Sequence, residues 1–456
     1  MGKDAVRAGR AWEKSGFKFP VKEFAERHER IRRAIGRTAH ALVQGAPPVR
    51  GYDAFRQTNE FHYCCGVEVP QAYLLLSGAD GNAALYLPHR PPGRSSEGEA
   101  YAAEDAGAIR RATGLDAVHG SELLGQHLEK VKVLYTPHSP AEGFQCSRDT
   151  LRHGDKLMSN DPWDGRLSRE QHFLALLRMR LPRTEIRDLS PILDALRLVK
   201  SERELALLRE AGRLSALAVT EAMQVTKPRM HEYHLAALAD FLFQKHGARG
   251  HSYRPIIAGG VNTWYAHYYR NDCPLRAGDL VLMDVAPDFH GYTSDIGRMF
   301  PVNGSYDPQQ RELYGFMVAY HKTLLRLIRP GVTADRIMNQ AAAEMAIILR
   351  RTPFSKRIYR AAAQRTLRFR GHLSHPVGMA VHDVGNYFAG PLKPGMVFAV
   401  DPQMWVPEER LYVRCEDTIA VTETGIENLT GAAPLELDDV QRTVRGAGCA
   451  RPVTEW

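Results

Sequence analysis

The sequence predicts two domains, an α/β unit followed by an α+β unit, on three observations. A chain of 456 residues with 44% hydrophobic content is too long for one ordinary core and apolar enough to fill two. Its first part mixes short apolar runs with turn-forming Gly, Asp and Asn, which reads as strands carrying helices. Its second part opens on helical patterns and ends on β-rich segments punctuated by Pro and Gly.

Taken in order, the runs Ala72 to Ser77 and Ala83 to Leu87 are expected strands of the first domain. LSREQHFLALLRMRL, from Leu167 to Leu181, is helical in pattern and Pro182 ends it. A domain junction is expected between Pro182 and Lys200. Beyond it, Ser201 and Glu204 have capping-box spacing, and Leu205, Leu208, Ala211, Ser215, Ala218 and Ala222 share one helix face. A long helix therefore starts the second domain. The segments Leu280 to Ala286, Tyr292 to Phe300, Met396 to Val400 and Tyr412 to Val421 are the expected strands of a curved antiparallel sheet.

Composition narrows the function classes. Charged residues make up 25%, with 5 Trp, 18 Tyr and 16 Phe, so the chain is expected to fold, with disorder confined to about the first dozen residues. The net charge of +8 and pI near 9.1 come from basic residues scattered among acidic ones, which describes a solvated surface and predicts no nucleic-acid partner. The Arg-rich stretches 178–187 and 350–370 either line the mouth of a site or cover helices. The six cysteines, Cys64, Cys65, Cys146, Cys273, Cys415 and Cys449, form no C-x-x-C pair and read as buried free thiols. The N-terminus has no apolar signal region, Val6 breaks the myristoylation pattern, and no run is long enough to span a bilayer. A cytoplasmic location without membrane contact is the expectation.

Asp284 interrupts an apolar strand, where an unpaired carboxylate costs several kcal/mol or takes up a proton. It is either exposed at a strand end or compensated. Asp295 lies eleven residues on, across a plausible tight turn; with Phe289 and His290 as a two-residue loop, it falls opposite Asp284 on the same sheet face. A register slip of two preserves that shared face. Facing carboxylates require a cation or a proton. His375, Asp401 after MVFAV, and Glu416 among β-formers complete a hard, oxygen-rich donor set whose charge of about −4 matches two divalent cations.

This order of residues resembles the pita-bread metallopeptidases, which include aminopeptidase P, prolidase and methionine aminopeptidase. GDLVLMDVAPDFHGYTSDIGRMFPVNG, HPVGMAVHDVG and VRCEDTIAVTETGIENLT carry the likeness, closest to aminopeptidase P and prolidase. Residues 51 to 76 resemble the creatinase-like N-terminal domain of those enzymes, and DALRLVKSERELALLREA resembles their junction. The resemblance implies a creatinase-like domain with linker helix over 17–197 and a pita-bread catalytic domain over 198–445.

It further implies that Asp284 chelates one metal, that Asp295 and Glu416 bridge both, and that His375 with Asp401 holds the other. His267, in YAHYYRND, matches the family histidine beside the substrate, and His382, in VHDVG, the one contacting the scissile peptide. Arg414, two residues before Glu416, shares its face on a strand and could orient it. The implied activity is that of an Xaa-Pro aminopeptidase acting on proline-containing peptides through a hydroxide activated by two divalent ions. Mn is the first choice of metal, with Co or Zn as substitutes, and the assembly is a homodimer or homotetramer. Xaa-Pro dipeptidase activity is the near alternative, and a catalytically silent peptide- or protein-binding module the distant one. Four positions depart from the family. Asp401-Pro402-Gln403 replaces Glu-Pro-Gly, Trp405 replaces Tyr, and Gly371 replaces the histidine four residues before His375, with the neighbouring His372 read as structural.

Overall fold

The computed structural model describes residues 19–93 and 100–446. The first dozen residues, Val6 and Cys449 lie outside them. Two compact units divide between Leu196 and Arg197.

The first unit is built on a six-stranded mixed sheet of β1 (Ala39–Gln44), β2 (Tyr73–Ser77), β3 (Ala83–Leu87), β4 (Ala117–Gly120), β5 (Val133–Thr136) and β6 (Glu185–Asp188), in the order β4-β3-β2-β1-β5-β6. The β1-β2 and β2-β3 pairs are antiparallel and the other three parallel. Parallel pairs require crossovers, so helices lie between the strands in sequence, as an α/β unit demands. The helix at Arg169–Arg180 starts on a capping box in which Ser168 and Gln171 exchange hydrogen bonds. Its Leu177 joins Leu42, Leu75, Tyr86 and Leu134 in the core.

The helix Val21–Ile35 buries Phe24, Ile31 and Ile35, and with them Arg27 and His28. Arg27 donates to the Tyr63 carbonyl and to Glu23, both at 2.8 Å, so its charge is paired where water is excluded. The His28 Nε2 lies 2.7 Å from the Cys64 carbonyl; burial pushes its pKa down to about 4, so the ring is neutral and donates that bond.

The second unit is an α+β arrangement. Its sheet contains β7 (Ile256–Gly259), β8 (Leu280–Asp284), β9 (Ile296–Pro301), β10 (Leu373–Pro376), β11 (Val397–Val400), β14 (Glu416–Val421) and β15 (Ile426–Asn428). The order is β10-β11-β14-β9-β8-β7, with β15 beside β14 and every pair antiparallel. A separate ribbon pairs β12 (Gln403–Val406) with β13 (Leu411–Arg414). Helices Glu202–Val225, Glu232–Lys245, Pro308–Leu327 and Leu437–Arg445 pack on the sheet around Leu214, Val219, Met283, Phe300, Phe398 and Ile419. Ser201 caps the first of them by accepting from the Glu204 amide, while Glu204 accepts from the Ser201 amide at 2.9 Å.

Three details correct the sequence reading. The turn between β8 and β9 has His290 and Gly291 at its tip, with φ of 53° and 80°, and Phe289 pairs with Tyr292. Two successive positive φ values make this a primed turn, which favours Gly at its second position. The register is thereby shifted by two: Asp284 pairs with Gly297 rather than Asp295. The parity survives, and Asp295 remains on the face of Asp284. Second, the run from Tyr412 to Val421 is two strands broken at Cys415, so Arg414 and Glu416 belong to different sheets. Third, of the five described cysteines, all free, Cys64, Cys65 and Cys415 are buried, but Cys146 and Cys273 are only half-buried.

Candidate metal centre

The sheet register brings five donors to one end. Asp284 ends β8, Asp295 immediately precedes β9, His375 sits in β10, Asp401 immediately follows β11, and Glu416 begins β14. Adjacent strands then align them: Leu373 pairs with Val400, Val400 with Asp417, Glu416 with Gly297, and Gly297 with Asp284. Asp284, Asp295, Asp401 and Glu416 are all 4% exposed or less.

Ligand atoms of Asp295, His375 and Glu416 lie within 4.8 Å of one another. The His375 Nε2 is 3.3 Å from Asp295 Oδ2 and 3.9 Å from Glu416 Oε1. Its Nδ1 lies 3.2 Å from the Pro376 carbonyl. A carbonyl only accepts, so the proton belongs on Nδ1 and, in the neutral ring, the Nε2 lone pair faces the carboxylates.

Arg414 closes the cluster from the ribbon. Its guanidinium donates to Glu416 Oε2 at 2.7 Å, to Asp401 Oδ2 at 3.4 Å and to Asp284. It reaches Glu416 across the break at Cys415, although the two residues do not share a strand. Tyr253 is a contact that sequence reasoning missed: its hydroxyl reaches both Asp284 and Asp295, the latter at 2.7 Å. Nothing in HSYRP marks it, because its position follows from how the segment before β7 folds back. Gly297, two residues after Asp295, was missed too. A Cβ there would lie 3.1 Å from that of Glu416.

The electrostatics favour a bound cation. Burial pushes the Asp284 carboxyl up to about 7 against the pull of Arg414, and burial together with Asp295 and Asp401 raises Glu416 well above the usual carboxylate range. Burial also acts upward on Asp295, but without a cation Asp295 in turn raises the His375 pKa, and the protonated ring, donating through Nε2, holds the Asp295 carboxyl down to about 2; a bound cation would take the place of that proton. One guanidinium faces four carboxylates. Asp401 Oδ1 and Glu416 Oε1 are buried without a hydrogen-bond partner, a costly state that a coordinated ion would relieve. The residues present therefore fit a pair of hard divalent cations.

Two more histidines border the cluster. The His382 ring lies 4.1 Å from that of His375 between centroids, and His267 lies 6.3 Å from His382. His267 is exposed, and desolvation with the nearby Arg414 charge lowers its pKa, so it is neutral at pH 7. The loop carrying His382 is pinned by its neighbour: Asp383 accepts from Arg197 at 2.5 Å and lies 3.2 Å from Lys200 Nζ, all three side chains being 1% exposed. His372 is buried away from this opening, its Nε2 donating to the Thr366 carbonyl at 2.8 Å. His290 sits half-buried in the β8-β9 turn, its ring edge-on to Phe289.

Residues 206–423 match the model of metallopeptidase family M24, and residues 24–134 match that of the aminopeptidase P N-terminal domain. The chain is 33% identical to the Xaa-Pro aminopeptidase of Escherichia coli (strain K12), covering 92% of this chain and 96% of that one. Among solved structures, proline aminopeptidase P II from Yersinia pestis superposes with a TM-score of 0.75 at 29% identity, over 94% of this chain and 100% of the other. E. coli aminopeptidase P with the inhibitor Pro-Leu gives 0.75 at 28% identity, over 95% of this chain and 100% of the other. With both domain models matched and the likeness running almost end to end, the chain belongs to the aminopeptidase P family of M24 metallopeptidases.

Proposed function

We propose that this protein is a metal-dependent Xaa-Pro aminopeptidase, releasing an N-terminal residue that precedes proline. The observation that carries the reading is the convergence of five donors from five sheet segments, with two buried carboxylate oxygens left for a cation. Asp284 would hold one divalent ion, His375 and Asp401 the other, and Asp295 and Glu416 would bridge. Mn is the first choice, and Co or Zn are able to replace it. Bound, the ions supply a nucleophilic water of lowered pKa and a Lewis acid for the scissile carbonyl.

The chain's own residues supply the rest. Arg414 fixes the Glu416 carboxylate, and Tyr253 fixes Asp284 against Asp295. His382 and His267, on the open side, hydrogen-bond the carbonyl oxygen as charge develops on it and return a proton to the departing nitrogen. In an Xaa-Pro bond that nitrogen is a tertiary amide without N–H, so recognition cannot rely on a donor there. The catalytic domain is assigned to 198–445 and the N-terminal domain with its linker helix to 17–197. A cytoplasmic homodimer or homotetramer that acts on proline-containing peptides, without nucleic-acid or membrane partners, completes the reading.

The test loads purified protein with Mn and offers Xaa-Pro-Xaa peptides beside Xaa-Pro dipeptides. Release of the first residue from the longer peptides supports the proposal. Cleavage of the dipeptides alone makes the protein a dipeptidase, and two bound metals without cleavage of either would point to a silent binding module.

A further inference from the structure

We infer that Gln403 is a positioning residue for Asp401, one that sets which oxygen of that short carboxylate is presented to the metal centre. The inference rests on the reading of Asp401 as a ligand and goes beyond it.

Asp401 and Gln403 flank Pro402, where the chain leaves β11 and enters β12. The Gln403 Nε2 donates to Asp401 Oδ2 at 2.6 Å, and Arg414 donates to the same oxygen at 3.4 Å. Gln403 and Arg414 are directly paired across the β12-β13 ribbon. A cross-strand pair therefore grips one oxygen from two sides, while Oδ1 remains buried with no hydrogen-bond partner. A carboxylate held this way offers one oxygen in a defined direction, as donors behind a ligating carboxylate do.

Gln403 is itself held. Its backbone N–H donates to His372 Nδ1 at 3.4 Å, and its backbone carbonyl accepts from Thr366 Oγ1 at 3.2 Å. His372 can accept because its Nε2 gives its proton to the Thr366 carbonyl, and its own carbonyl accepts from the Asp401 amide at 2.8 Å. The backbones of Gln403 and of Asp401 thus share one anchor, His372.

Side-chain length and the glutamine go together. A glutamate at 401 would be longer by one carbon–carbon bond, about 1.5 Å, and would meet the Gln403 amide now 2.6 Å away. Trimming residue 403 to glycine opens that space. The two positions are therefore coupled: each change alone disturbs the ligand, and together they compensate.

The experiment is Mn titration by calorimetry on the full chain, wild type against Gln403→Met, Gln403→Glu, Asp401→Glu and Asp401→Glu/Gln403→Gly, with steady-state kinetics alongside. Gln403→Met keeps the volume without the donor and weakens one of the two Mn sites by about tenfold. Gln403→Glu places a like charge against Asp401 and weakens it further, so either variant answers the question if the other fails to fold. Asp401→Glu loses affinity, and the double variant recovers most of that loss in both affinity and kcat. A general packing role for Gln403 would leave Mn affinity unchanged in Gln403→Met, which keeps the volume. Unchanged Mn affinity in both Gln403 variants, or a double variant no better than Asp401→Glu, overturns the inference. A wild-type chain that fails to bind two ions would instead sink the metal-centre reading on which it rests.

Discussion

Gly297 occupies the most exacting position in the sheet, paired with Asp284 on one side and Glu416 on the other. In Gly297→Ala the new Cβ would lie 3.1 Å from the Glu416 Cβ and 3.3 Å from its Oε2, where ordinary contacts begin at 3.4 Å. Something must yield by about 0.3 Å, and cores resist this. Glu416 is 1% exposed, with its carbonyl held by Arg298 at 2.6 Å and its carboxylate by Arg414 at 2.7 Å. Overpacking of this kind costs about 1–3 kcal/mol. Because the displaced group is a proposed bridging ligand, metal affinity falls by about tenfold to a hundredfold. Mn calorimetry on the variant reads the second effect and thermal unfolding of the metal-free chain reads the first. A variant that loses stability but binds Mn as well as wild type would refute the placement of Glu416 in the centre.

Other expectations follow from groups around the site. Asp417→Ala removes the buried partner of Arg298 and His321, both 2.7 Å away; it lowers the stability of the second unit by about 3–5 kcal/mol in urea unfolding, because an uncompensated charge remains. Asp383→Asn loosens the grip of Arg197 and Lys200 on the loop bearing His382; kcat drops by roughly tenfold or more with little change in KM, since a positioned proton donor is disturbed. The pKa of His28 is depressed to about 4 in the fold from 6.5, so the unfolded chain binds the extra proton. Stability is then full above pH 6.5 and falls as pH drops toward 4, by about 3 kcal/mol in all. His28→Gln removes that slope from the first unit's unfolding curve. Stripping metal with a chelator lowers the melting temperature, reflecting about 2.7 kcal/mol lost relative to Mn at a hundred times its Kd.

Much of this was legible in the sequence because the information was local or carried by parity. The Ser201 capping box, the helix before Pro182 and the shared face of Asp284 and Asp295 depend on spacings of three to eleven residues. The turn was placed one residue early because Gly291, the residue best able to adopt positive φ, was put outside the loop rather than at its second position. The break at Cys415 escaped notice because β-formers frame the run at both ends, Tyr412-Val413 and Thr418 to Val421, and the chain leaves one sheet for another without a Gly or Pro to mark it. Tyr253 and Gln403 were invisible for another reason. The role of Tyr253 exists only when segments distant in sequence are brought within hydrogen-bond reach, and that of Gln403 depends on the turn at Pro402 and its pairing with Arg414; no periodicity encodes either.

The central claim is that Asp284, Asp295, His375, Asp401 and Glu416 hold two divalent cations. Anomalous scattering at the Mn edge from Mn-soaked crystals tests it most directly. The account predicts two peaks among these five side chains, with Asp295 and Glu416 touching both. A single peak bound by only some of the five, or no peak there while Mn binds elsewhere, would contradict it.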